Sequence, residues 1–185
     1  GTMLELIESL IHHCATESLA KGWCARAEEG PILPWGEMRI DYHRPFVQVR
    51  YGDLFERAMG FAMTDQAKVR AAAVAAHLAH AATRDHWLLV NDLFERKAEA
   101  LIDPCRPTFV MDYPSAISPL TRPSRKNPEI AERWDIFIGG MEVGPAYTEL
   151  NDPDIQLAKF TDQMQGVEEE DAVMRTLDED FITAL

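Results

Sequence analysis

One segment constrains the fold more than any other. Trp134-Asp135-Ile136-Phe137-Ile138 reads as a strand, Gly139-Gly140 as a turn pair, and Met141 to Leu150 as the antiparallel partner. Upstream, Thr108-Phe109-Val110-Met111-Asp112-Tyr113 reads as a further buried strand, stopped by Pro114. Between these strands Pro119, Pro123 and Pro128 break a polar loop. Asn151-Asp152-Pro153 then caps a helix to about Gln165, with proline in its first turn.

The first half is mainly helical. Leu4, Ile7, Leu10 and Ile11 recur at helical spacing, which predicts a helix from residue 3 to about 19. Gly30-Pro31 and Pro34-Trp35-Gly36 read as punctuation. Met38 to Tyr42 and Phe46 to Arg50 alternate as strands, with His43-Arg44-Pro45 in the turn between them. A short helix is expected over Leu54 to Met59. An alanine-rich helix capped by Thr64 is expected to run to about Ala82, and a third helix from His86 to Ile102. The tail Glu168-Glu169-Glu170-Asp171 is acidic and leads into a short helix near Leu177 to Leu185. The pattern is α+β, an antiparallel sheet with flanking helices and a helical insert over residues 64–102.

Composition narrows the function classes. The chain has 185 residues, 46% of them hydrophobic, so it is globular and has the size of one domain or a large piece of one. The net charge of −13 makes this segment a poor grip for a polyphosphate backbone. No run approaches a membrane span. The opening Gly1-Thr2-Met3-Leu4-Glu5 is not expected to be a signal peptide, and Gly1 and Thr2 read as cloning residues. Cys14, Cys24 and Cys105 form no framework, which points to reduced thiols and a cytoplasmic location.

The hairpin carries the richest chemistry. Glu142 and Glu149 are seven residues apart, so a regular strand would turn them to opposite faces. Gly144-Pro145 lies between them, and a bulge there would return both to one side. With Asp135, such a face suits a hard cation such as Mg²⁺ or an ammonium group. The competing reading makes them solvated surface charges, and Tyr147 a core residue. His12, His13, Cys14 and Cys24 fit no zinc spacing. His77 and His80 share a helix face without a third ligand. Ser115, Ser118 and Ser124 lack a nucleophile elbow, and no glycine loop for phosphate is present.

The second half resembles a known family. Pro107-Thr108-Phe109-Val110-Met111-Asp112-Tyr113-Pro114, Ile117-Ser118-Pro119-Leu120, the run Asn127 to Val143, and Ala146-Tyr147-Thr148-Glu149-Leu150-Asn151-Asp152-Pro153 with Gln156 and Phe160 resemble bacterial class II lysyl-tRNA synthetases. Residues 104–165 match in order and spacing. Residues 177–185 look like a stretch before the family's third signature motif, and residues 36–60 match weakly. The resemblance implies ATP-dependent activation of lysine to lysyl-adenylate, then transfer to tRNA(Lys), in a cytoplasmic homodimer with no role for DNA or membrane. It implies that Asp135 and Glu142 coordinate Mg²⁺ near the ATP phosphates. Glu149 would receive the lysine ε-ammonium, Tyr147 would pack along the aliphatic stem, and Pro145 would lie beside the substrate.

Two positions depart from the family pattern. Pro145 stands where the family usually has Asn, and Asp135 where it usually has Glu, which shortens the reach to a metal by one methylene. The family's first, second and third motifs and its anticodon-binding domain are not found. The expectation is therefore a partial catalytic domain over residues 1–185, lying between the second and third motifs, that does not form adenylate by itself. Two further readings stay open: a synthetase-like paralogue that lysylates a protein, and a non-catalytic lysine-binding or regulatory module.

Overall fold

The computed structural model describes residues 2–23, 30–165 and 179–184. Helix α1 (Thr2–Ala20) is followed by strands β1 (Ile32–Trp35), β2 (Met38–Asp41) and β3 (Val47–Arg50). Helix α2 (Tyr51–Met59) follows β3, and α3 (Gln66–Ala75) and α4 (His86–Leu93) lie within the expected insert. The last of these continues through a wide turn, Phe94–Ala98, and a tight one, Glu99–Leu101. Strands β4 (Thr108–Met111), β5 (Arg133–Ile138) and β6 (Met141–Tyr147) precede α5 (Pro153–Gln165) and α6 (Glu179–Ala184).

The main sheet runs β3-β4-β5-β6. The β4–β5 and β5–β6 pairs are antiparallel, as the hairpin pattern predicts. Gly139 and Gly140 both take positive φ, 65° and 78°, the conformation a two-residue hairpin turn requires and glycine adopts without strain. β3 and β4 pair in parallel, which differs from the all-antiparallel expectation. The reason lies in the connection: α2 to α4 separate the two strands, and a helical crossover returns a chain to the same direction. β2 does not pair with β3 either. It pairs with β1 in a separate two-stranded ribbon.

Both faces of the sheet are covered. One face presents Val49, Val110 and Phe137 to α2 and the insert, where Tyr51, Leu54, Phe55, Val69, Leu89, Leu93 and Phe94 form the larger core. The other presents Phe109 and Ile136, against which Leu4, Ile7 and Ile11 of α1 pack. Glu8 of α1 is buried there, and its carboxylate accepts from the Phe46 amide at 2.6 Å and from the Arg44 guanidinium at 3.3 Å. That contact sets where β3 begins.

The insert differs in detail from the expectation. Asp65, not Thr64, caps α3 by accepting from the Lys68 amide. The helix stops at Ala75 instead of Ala82. His77 and His80 both take left-handed φ, 53° and 54°, so they do not share a helix face. Burying Leu78 and Ala81 requires the chain to leave the helix, and Arg70 satisfies carbonyls freed there, donating to Ala81 O at 2.7 Å and Arg84 O at 3.1 Å. Cys24 and the acidic run 168–171 lie outside the described residues.

Candidate functional site

The register of the hairpin decides which acids meet. Ile136 pairs with Gly144 but Phe137 with Glu142, so Val143 is the extra residue of a bulge. The bulge falls one residue before the Gly144-Pro145 pair that signals it. Residues directly opposite in antiparallel strands share a face. Glu142 faces with Phe137, Pro145 with Asp135, and Tyr147 with Arg133. Alternation past Tyr147 gives Glu149 the same parity. The face carrying these groups is the one that meets the insert.

Asp135 is the buried member, 1% exposed, with β4 on one side and β6 on the other. Arg133, two residues earlier on the same face, grips it with both forks of the guanidinium. Nε donates to Oδ1 at 2.9 Å and Nη2 to Oδ2 at 2.6 Å. The guanidinium carbon lies 4.3 Å over the Tyr113 ring. Tyr113 reaches this position because Asp112 adopts a left-handed conformation, φ 60°. That turn takes Tyr113 off the face of Phe109 and Met111 and into the larger core. Burial and the adjoining Asp135 carboxylate push the Tyr113 phenol far up, so it stays neutral. Burial works against the Arg133 charge, but the Asp135 bonds outweigh it and raise its pKa further.

An aromatic stack supports the pair from behind. Tyr113 lies 4.9 Å from Tyr51, and Tyr51 stacks on Phe94 with centroids 3.7 Å apart and planes 9° from parallel. Tyr51 is fully buried, and its hydroxyl has no hydrogen-bond partner. Glu95 and Glu99, on the continuation of α4, bring negative charge to the same region. Burial first, then Glu95, Glu142 and Asp135, raise the pKa of Glu99. Glu142 is also raised, by burial and then by Asp135, with Arg133 opposing.

Glu149, Tyr147, Pro145 and Glu142 are all exposed on β6 or just beyond it, Tyr147 by 42%. Tyr147 is therefore not a core residue. The backbone around Glu149 is held firmly by the proline-broken loop. Glu149 bridges Thr121, Arg122 N–H donates to Thr148 O at 2.9 Å, and Thr148 N–H donates to Glu132 O at 2.9 Å. The loop is tied down by the Arg122–Glu132 ion pair at 2.6 Å and by Lys159, which donates to Ser118 O and Thr121 O. Gln156, fully buried, donates to Pro119 O.

Among the described residues, no three Asp, Glu, His or Cys side chains gather closely enough to hold an ion. Magnesium can do with one or two carboxylates when phosphates and water complete its shell. Here, however, both Asp135 oxygens are already bonded to Arg133, so the pair offers one open carboxylate, that of Glu142. Arg133, Tyr113, Tyr51, Glu95 and Glu99 were not singled out by the sequence reading. Only Arg133 left a signal there, at two residues from Asp135 in a strand.

The chain matches tRNA synthetases class II (D, K and N) over residues 1–185, and it belongs to that family. Among its relatives, the lysine–tRNA ligase of Aquifex aeolicus (strain VF5) is 37% identical over 157 residues, covering 83% of this chain and 26% of that protein. That of Escherichia coli (strain K12) is 31% identical over 192 residues, covering 99% and 35%. That of Pasteurella multocida (strain Pm70) is 38% identical, covering 83% and 32%. The chain thus spans between 26% and 35% of the length of these curated relatives. Family membership implies use of ATP and magnesium in general. Among the described residues no helix is long and apolar enough to cross a membrane.

Proposed function

We propose that this chain contributes the amino-acid side of a lysine–tRNA ligase, in which lysine is activated with ATP and passed to tRNA(Lys). The observation that carries the reading is the exposed β6 edge. Glu149 stands at its end on a backbone fixed by Thr121, Arg122 and Glu132, and Tyr147 lies two residues before it on the same parity. A carboxylate held by its backbone but free at its tip suits an ammonium group, and a charge-assisted bond there contributes ~1.5–3 kcal/mol. An aromatic ring beside it covers an aliphatic stem. A neutral analogue would leave the acid unpaired, which gives selectivity.

In the same reading Pro145 lies beside the substrate, and Glu142 is the member of the expected metal pair with an open carboxylate. Lysine, ATP and tRNA(Lys) are its partners, and a homodimer its assembly. The free thiols of Cys14 and Cys105 fit a cytoplasmic location.

The test is lysine binding by calorimetry to the full-length protein and to its Glu149→Gln variant, with circular dichroism as the check on folding. The expected result is a folded variant whose lysine affinity falls more than tenfold. An unchanged affinity refutes the assignment of the ammonium partner.

A further inference from the structure

We infer that Arg133 is the resident cation of this acidic face and holds Asp135 out of metal coordination, leaving Glu142 as the carboxylate a divalent ion can reach. The inference goes beyond the ligase reading and does not need lysine, ATP or tRNA to be tested.

Three observations carry it. First, both oxygens of Asp135 accept from Arg133, at 2.9 and 2.6 Å, in the forked geometry that is strongest for guanidinium and carboxylate. Second, Asp135 is 1% exposed, so its carboxylate has almost no contact with water. A magnesium ion gives up its waters reluctantly and demands oxygen ligands at about 2.0–2.1 Å in octahedral geometry. It would have to displace the guanidinium and enter a site closed by strands on both sides. Third, Arg133 is itself anchored, 4.3 Å over the Tyr113 ring, which in turn rests in a tilted contact, 4.9 Å between centroids, on Tyr51. A displaced guanidinium would lose the carboxylate and the ring together, and while in place it repels any second cation.

The shortened side chain fits this arrangement. Arg133 and Asp135 are alternate residues of one strand, so their side chains project in parallel from the same face. An aspartate at this position keeps its carboxylate low, within span of the neighbouring fork. The guanidinium never deprotonates in a protein, so the competition persists at every working pH.

The experiment is Mn²⁺ binding to the chain, followed by the loss of the free-ion electron paramagnetic resonance signal. The unsubstituted chain is compared with Glu142→Gln, Asp135→Asn, Arg133→Met and Arg133→Met/Asp135→Asn. The expected pattern is weak binding that falls in Glu142→Gln and changes less than twofold in Asp135→Asn. Binding should tighten at least tenfold in Arg133→Met, with that gain lost in the double variant. A tenfold loss in Asp135→Asn, or no gain in Arg133→Met, overturns the inference. Should a variant fail to fold, Mg²⁺ titration of the unsubstituted chain, read by carboxylate ¹³C shifts, decides. A shift at Glu142 alone supports the inference, and equal shifts at Asp135 and Glu142 refute it. Since no lysine is present, these outcomes are independent of the fate of the Glu149 assignment.

Discussion

Tyr51 offers a test with a counterintuitive sign. Its ring is fully buried between Phe94 and Tyr113, and its hydroxyl has no hydrogen-bond partner. A buried polar group left unpaired costs roughly 1–3 kcal/mol of desolvation. Burial, with Glu95 and Glu99 next in effect, drives its phenol pKa far up, so it cannot relieve the cost by ionising. Tyr51→Phe removes the oxygen but keeps the 3.7 Å stack on Phe94 and the 4.9 Å contact with Tyr113. The expected change is a gain of about 1–2 kcal/mol, the lower part of that range because the missing atom leaves a small void. For a chain of this size each kcal/mol moves the melting temperature by roughly 2–4 °C, so the rise is about 2–8 °C. Thermal unfolding followed by circular dichroism at pH 7 measures it. A fall of more than about 2 °C refutes the reasoning. It would mean that the hydroxyl is paired in solution, as by an ordered buried water bridging toward Glu95 or Glu99.

Two carboxylates should respond to pH in opposite senses. Glu132 has its pKa lowered, first by the Arg122 hydrogen bond and then by Thr148, so its stabilisation is present above the ordinary glutamate value of about 4.3 and is lost as pH falls through the lowered one. Glu132→Gln should therefore melt earlier than the unsubstituted chain at pH 7, with the gap closing in acid. Glu99 is raised, so its contribution is complete below about pH 4.3 and is lost as pH rises through the raised value. Glu99→Gln should melt later at pH 7, and melting curves that show both variants shifted the same way would contradict this account. Phe109→Ala should cost about 3–5 kcal/mol by denaturant titration, because Phe109 is fully buried between α1 and the sheet and contacts both Phe46 and Trp134. A cost under 1 kcal/mol would mean that α1 does not cover that face in solution.

What the sequence made legible follows the range of the interactions involved. The hairpin was readable because its turn, its strands and the proline that hints at a bulge all lie within about twenty residues, and local backbone chemistry fixes them. The end of α3 was not. Alanine-rich propensity argues for continuation past Ala75, but the burial of Leu78 and Ala81 is a tertiary demand and overrides it. β1 was read as punctuation because of Pro34, yet a ribbon strand with one partner tolerates a proline. The parallel β3–β4 pair joins segments separated by the entire insert, and no local pattern encodes it. The Arg133–Asp135 contact was in plain view as alternate residues of a strand. The platform beneath it was not, since Phe94, Tyr51 and Tyr113 come from three separated segments.

The three acids of the hairpin region look alike in the sequence, and their positions in the sheet divide them. β5 is an interior strand, so Asp135 loses water on both sides, and a bare carboxylate there would be prohibitive. It must carry its own counter-ion, and the arginine two residues away is the one whose side chain leaves from the same face. β6 ends the sheet, so Glu142 and Glu149 keep access to solvent and need no partner within the chain. Only a carboxylate that is stable unpaired can wait for a cationic ligand. The edge strand is thereby the place where a substrate ammonium or a metal can be recognised, and the strand beside it serves to hold that edge in register. Moving the counter-ion is consequently the sharper perturbation. Removing Arg133 should leave Asp135 without its counter-ion, so that a divalent ion takes the guanidinium's place, whereas removing Glu149 should leave the rest of the face as it is.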